Sequence, residues 1–155
     1  MTDWRIVVMG VSGCGKSSVG VALAEALGAR FIDGDDLHPV GNVAKMTGGE
    51  PLTDADRLPW LETVGHKLAQ AAGANENLVI ACSALKRQYR DQIRSIAPTA
   101  FYVHPHGSRI ALLERLSKRT GHFMPVSLLD SQLLDLEPLE SDENGIQLDM
   151  AQSVS

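Results

Sequence analysis

The octapeptide Gly10-Val11-Ser12-Gly13-Cys14-Gly15-Lys16-Ser17 constrains this chain more than any other feature. It satisfies G-x-x-x-x-G-K-[ST] without a gap. Its flanks agree with it. Arg5-Ile6-Val7-Val8-Met9 is a β-branched run that reads as a buried strand, and Ser18 to Leu27 carries apolar residues at helical spacing up to a Gly28 stop. Strand, glycine loop and helix in that order turn backbone N–H groups inward around a polyphosphate, and the helix N-terminus adds a favourable dipole. Lys16 is expected at the β- and γ-phosphates, with the Ser17 hydroxyl on Mg2+. The motif predicts a nucleoside triphosphate site made of Gly10, Ser12, Gly13, Cys14, Gly15, Lys16, Ser17 and Ser18. A chance glycine-rich turn would match the spacing without the strand and helix in register.

Composition narrows the rest. A chain of 155 residues, 44% apolar and 21% charged, is expected to be one domain with a real core. It has no apolar run of membrane-spanning length, and its first strand begins too early to leave room for a leader. A net charge of −5 argues against a general nucleic-acid surface. Basic residues at 86–94 lack the aromatic interleaving of an RNA binder. The two cysteines, Cys14 and Cys82, make no disulfide framework, so a cytoplasmic location with reduced thiols is expected.

Strand signals at 5–9, 30–33, 78–82, 100–103 and 146–148 alternate with helical ones at 16–27, about 56–72, about 86–96, 108–119 and 127–135. That alternation predicts βαβ units and a parallel sheet covered on both faces. Thr53, Ser108 and Ser127 stand where N-caps belong. Trp60, Leu61, Leu58, Val64 and Leu68 fit one apolar helix face, with Pro59 tolerable only near that helix's first turn. Residues 137–145 read as a solvated acidic loop. His104-Pro105-His106 lacks partners for a metal site and reads as a loop after the fourth strand.

Phe31-Ile32-Asp33-Gly34-Asp35-Asp36-Leu37-His38-Pro39 puts three carboxylates just past the second strand. Ligands of open α/β sheets bind beyond the carboxyl ends of the strands, where the P-loop also lies. Of Asp33 and Asp35, one is expected to help hold Mg2+ through water and the other to accept the proton of an attacking hydroxyl. The bland alternative is an acidic turn with no chemistry.

Three further segments are specific: the run from Asn42 to Leu61 containing Gly49-Glu50-Pro51-Leu52-Thr53-Asp54-Ala55-Asp56-Arg57-Leu58-Pro59-Trp60-Leu61; Cys82-Ser83-Ala84-Leu85-Lys86 followed by Tyr89-Arg90; and Arg115-Leu116-Ser117-Lys118-Arg119-Thr120-Gly121-His122-Phe123. With the P-loop they resemble the gluconokinase family, small kinases of the nucleoside-monophosphate-kinase and shikimate-kinase type, over residues 4 to 150. The resemblance implies an α/β fold with a five-stranded parallel sheet flanked by helices, a lid at about 118–126, and phosphorylation of D-gluconate at its 6-hydroxyl by ATP with Mg2+. It also implies Lys16, Asp35 and Arg119 in catalysis, Arg115 against adenine, and Ser17 and Asp33 at the metal. Asp35, His38, Arg57, Lys86 and Arg90 are implied around the sugar acid, and a homodimer as the assembly. Guanidinium at Arg57 suits an anionic acceptor, since it grips carboxylate with two hydrogen bonds.

The chain departs from the family at Cys14, commonly serine there, and after Asp149, where the family continues into a terminal helix that covers one sheet face. The thiol is expected either to be activated beside Lys16 at a helix N-terminus or to be a small inert buried group. Competing functions are another metabolite kinase of this fold, such as shikimate kinase, a GTPase-like switch, or a form that binds ATP without turnover. The chain lacks an Asn-Lys-x-Asp guanine-reading motif, which argues against the switch.

Overall fold

The computed structural model describes residues 4–11, 14–50, 52–117 and 126–149, the side chains of 117 and 126–128 excepted. Five strands form one sheet: β1 (Arg5–Val8), β2 (Arg30–Asp33), β3 (Leu78–Ala81), β4 (Phe101–His106) and β5 (Gly145–Asp149). Their order is β2-β3-β1-β4-β5, and every pairing is parallel. Among the described residues six helices accompany them: α1 (Lys16–Leu27), α2 (Val40–Thr47), α3 (Asp54–Gly73), α4 (Arg87–Ile96), α5 (Arg109–Ser117) and α6 (Val126–Asp135), with a 3-10 turn at Gly34–Leu37. The expected alternation and parallel sheet are present.

Alternate side chains of the central strands enter different cores. Val7, Met9, Leu78, Ile80 and Cys82 join Trp60, Leu61, Val64 and Leu68 of α3 and Tyr89 and Ile93 of α4. Ile6, Val8 and Val79 face the other way, onto Val19 and Ala24 of α1. A strand buried on both faces reads as continuously apolar, which is why β1 and β3 show no polar alternation. Leu58 does not share the α3 core face; it is 46% exposed. Pro59 lies in the second turn of α3, deeper than the first turn expected of it, on the exposed side where a missing N–H is least costly.

Several local expectations change. Helix α2 and the 3-10 turn carry no periodic signal. The first is held from outside: the Asn42 side-chain nitrogen donates to the Asp56 carbonyl (2.8 Å), and Lys45 pairs with the Asp56 carboxylate (2.7 Å). Thr53 caps α3 in a reciprocal box with Asp56, and Ser108 accepts from Ala111 N–H as expected of a cap. Ser127, expected as a cap, lies inside α6. His104-Pro105-His106 continues β4 instead of forming a loop, because β5 pairs with it through Asp149.

The acidic segment 137–145 is the largely exposed loop expected up to Asn144, with the exception of buried Glu143, but it is pinned to α4 by ion pairs. Glu137 accepts from Arg87 N–H (2.6 Å) at the start of α4, while Glu140 and Asp142 accept from the Arg87 guanidinium. Beneath them Glu143, its side chain fully buried, takes Arg90 on both oxygens at 2.7 and 3.0 Å and Arg94 at 2.7 Å. Burial opposes the Glu143 charge, but hydrogen bonds from Arg90, the Glu140 N–H and Arg94 outweigh it and hold its pKa at about 2.

Removing one partner of a buried pair strands the other charge, so Glu143→Gln should lose about 3–5 kcal/mol at neutral pH. The carboxylate is depressed in the folded state, so its stabilisation is complete above the ordinary carboxyl range and disappears as pH falls towards about 2. Denaturant unfolding across that range should therefore show wild type and variant converging in acid. A constant gap would place the stabilisation elsewhere.

Candidate active site

The strand ladder of β1 runs on into the P-loop: Met9 N–H donates to Val103 O (2.9 Å) and Gly10 N–H to Ser83 O (3.0 Å). The loop thus springs from between β3 and β4. Gly15 ends it at φ 90°, a left-handed conformation that favours glycine, and the Arg115 guanidinium lies 2.7 Å from where a side chain would begin. Gly15 caps α1 without a side-chain acceptor, which leaves first-turn N–H groups available to an anion. Lys16 Nζ donates to the loop's own carbonyls, Gly10 O (2.9 Å) and Val11 O (3.1 Å). The residues present therefore fit a polyphosphate: a cation and helix N–H donors converge on one turn. Ser12 and Gly13 lie outside the described residues.

Ser17 and Ser18 are exposed in the first turn of α1. Cys14, Ser18, Val19, Ala22, Pro105, Arg115, Leu148 and Asp149 line a cavity of about 210 Å³ beside the loop, on the side where Arg115 was expected to meet a base. A larger depression of about 660 Å³, lined by Gly28, Arg30, Asn75, Glu76 and Asn77, lies at the amino ends of the strands, away from this chemistry. Cys14 is 1% exposed, and burial pushes its thiol up despite Lys16 nearby. Of its two expected characters, the inert one fits.

On the acceptor side, Asp33 caps the 3-10 turn by accepting from Asp35 N–H (3.0 Å). A Cβ at Gly34 would stand 2.4 Å from Ala81 O, so only glycine lets β2 cross the end of β3. Asp35 is exposed. Buried Cys82, its thiol pushed up to about 12 by burial, feels both Asp35 and Lys16. A hydroxyl oxygen and a carboxylate, Ser17 and Asp33, are the hard donors Mg2+ takes, and most of its shell comes from phosphate and water.

Arg57 and Lys86 come together where α3 and α4 begin. Arg57 donates to Leu52 O (2.8 Å) and to the Tyr89 hydroxyl (3.1 Å). Both cations lie over the Tyr89 ring, at 5.4 and 5.6 Å. Asp54 accepts from Tyr89, from Lys86 (3.2 Å) and from Gln88 (2.9 Å). Sequence reasoning missed Asp54 and Tyr89; their partners are more than thirty positions away. His38 stacks on Trp60 with ring centroids 4.1 Å apart, and the Trp60 indole donates to Gly34 O (2.7 Å).

Arg90 does not belong to this group. Its side chain is fully buried, with Nε and Nη2 on Glu143, Nη1 on Ala84 O (2.9 Å) and Leu85 O (3.2 Å), and Nη2 also facing Pro138 O (3.3 Å). No donor is left for a sugar acid. Arg90 instead fastens the turn in which Ala84 takes a left-handed φ of 41°, next to the Ser83 carbonyl that holds the P-loop. The lid and Arg119 lie outside the described residues, apart from Val126 at the start of α6.

Known proteins agree with this geometry. The AAA domain family matches residues 6–139. The thermosensitive gluconokinase of Escherichia coli K12 is 47% identical over 146 residues, 94% of this chain and 78% of that one. The gluconokinase of Gluconobacter oxydans 621H is 50% identical over 143 residues, 92% of this chain and 80% of that one. Among solved structures, a gluconokinase from Sinorhizobium meliloti 1021 superposes with a TM-score of 0.88 at 53% identity, covering 97% of this chain and 84% of that one. Shikimate kinase from Acinetobacter baumannii, at 21% identity and a TM-score of 0.53, shares the fold over 86% of this chain and 75% of its own. A phosphate loop and an acidic turn on one sheet edge, with identity near one half along nearly all of the chain, lead to one conclusion: the chain belongs to the gluconokinase family.

Proposed function

We propose that this protein transfers the γ-phosphoryl group of ATP to the 6-hydroxyl of D-gluconate, giving 6-phospho-D-gluconate and ADP. The observation that carries this reading is the grouping of Arg57 and Lys86 about the Tyr89 ring, beside the Asp54 carboxylate that Lys86 and Tyr89 hold. A pair of cations, one of which already holds a carboxylate, is chemically suited to the carboxylate of a sugar acid. Membership of the gluconokinase family supports the same substrate.

In this mechanism the P-loop amides and Lys16 grip the β- and γ-phosphates, with Lys16 exchanging its loop carbonyls for phosphate oxygens. Ser17 and, through water, Asp33 would hold Mg2+, which neutralises charge on the phosphates when bound. Asp35 accepts the proton of the 6-hydroxyl as its oxygen bonds to the γ-phosphorus and the bond to ADP breaks. Arg119, on the lid, would meet the charge on the transferring group, and Arg115 would lie against the adenine. The protein in this reading is a cytoplasmic homodimer. Two free, buried thiols support a reducing compartment, and no helix among the described residues is long and apolar enough to cross a membrane. Product analysis by phosphorus NMR tests the function: one new phosphomonoester on the 6-position, with ADP in equal amount, is expected. Phosphate on another position, or none transferred, would overturn it.

Arg57→Ala removes a bidentate, charge-assisted contact and should lower kcat/KM for gluconate by a factor of roughly 30 to 1,000, with the KM for ATP unmoved. A change confined to ATP would move Arg57 to the nucleotide side. Asp35→Asn should lower kcat by about two to four orders of magnitude while ATP affinity holds, because the amide cannot take the proton. Asparagine is a good turn former, so if Asp35 only shapes the turn, activity survives the change.

A further inference from the structure

His38 leaves the 3-10 turn that carries Asp35 and packs its ring on Trp60 at an interplanar angle of 18°. Asn42, 6% exposed in the first turn of α2, faces it. The Asn42 side-chain nitrogen donates to Asp56 O (2.8 Å) and lies 3.2 Å from His38 Nδ1. A carbonyl oxygen can only accept, so the amide group that faces Asp56 O is the nitrogen and the orientation of the Asn42 amide is determined. Its second hydrogen is then directed at His38 Nδ1, which must be the acceptor. Neutral imidazole has a single N–H, and that proton is left on Nε2. Burial, and after it the Arg57 charge, lower the His38 pKa to about 4. Among the described residues nothing accepts the Nε2–H.

We propose that Asn42 holds His38 as its neutral Nε2–H tautomer, and that His38 donates this hydrogen to a hydroxyl oxygen of the sugar acid. The proposal rests on the gluconate-kinase reading and divides acceptor recognition in two. Arg57 and Lys86 take the carboxylate by charge, while His38 reads an uncharged hydroxyl beside them. An imidazolium there would compete with Arg57 for the substrate's single negative charge and be repelled by it. The neutral donor does neither. Asn42 is a positioning residue: it sets which ring nitrogen carries the proton without itself touching substrate.

Long-range proton–nitrogen NMR on ligand-free protein with labelled histidine reads the tautomer directly. His38 should show the neutral Nε2–H pattern, unchanged between about pH 6 and pH 8. Kinetics then read the donor. The amide nitrogen of Gln can stand in for Nε2 and that of Asn for Nδ1. His38→Gln should therefore keep the KM for gluconate within about threefold, and His38→Asn should raise it about tenfold, with the KM for ATP constant in both. An Nδ1–H pattern, titration within that pH range, equal gluconate KM values for the two variants, or a shift in ATP KM would each overturn the proposal. The spectrum needs no variant, so misfolding of either one leaves the proposal open to refutation. If the unaltered protein fails to phosphorylate gluconate, the function falls and the donor role with it, whereas the tautomer stands or falls on the spectrum alone.

Discussion

β1 is buried on both faces and hydrogen-bonded along both edges, to β3 and to β4. A slip of one residue would exchange the side chains of its two cores and break both ladders, so packing and hydrogen bonding together fix its register. The position of the P-loop follows, because the same ladder continues through Met9 and Gly10. β2 is pinned to β3 in turn, and Gly34 turns its chain across the end of that strand. The phosphate loop and the carboxylate turn stand at one edge of one sheet because the strands that carry them cannot move past each other.

The charges above this edge are balanced without substrate. Lys16 rests on loop carbonyls, Asp54 occupies Lys86 at the head of α4, and Arg57 at the head of α3 donates to Leu52 O and the Tyr89 hydroxyl. In the proposed mechanism an anion that reaches Lys16 or Lys86 exchanges with an internal partner. Such exchange lowers the net gain from binding but avoids leaving a cation half-buried and unpaired. The Tyr89 hydrogen bond and then Lys86 hold the Asp54 carboxyl below its usual range, so it remains a charged competitor at neutral pH. Arg87 and Arg90 are spent on the 137–143 loop. This is how α4 can be rich in cations and yet offer only its first turn to the acceptor side.

The features readable from sequence are local ones. The strand–loop–helix signature around Gly10–Ser17, the apolar runs of β1 and β3, and the Thr53 cap are each complete within a few residues, and each is present as expected. Helix α2 escapes because Val40, Val43 and Met46 are exposed and its support comes from Asp56 on another helix. Arg90 was misplaced for a related reason. Nothing near it in sequence distinguishes a surface cation from one paired with a carboxylate 53 residues away. The His104–His106 extension of β4 has no local signal of its own, since proline is disfavoured inside sheets, yet Pro105 stands opposite Leu148 in the ladder. Asp54 and Tyr89 stand in segments that the sequence singles out, but nothing local gives either one a role. Only the convergence of α3 and α4 makes them part of the site.

In the proposed reaction this edge of the sheet joins ATP to a carboxylate-bearing, open-chain acceptor. The most direct measurement is ADP release by the purified protein with Mg-ATP and, separately, gluconate, glucose, shikimate or no acceptor. Release should be fast with gluconate and stay near the acceptor-free rate with the other two. Equal rates with glucose would show that the Arg57–Lys86 cluster does not select for charge, and a preference for shikimate would assign the site to a different acceptor.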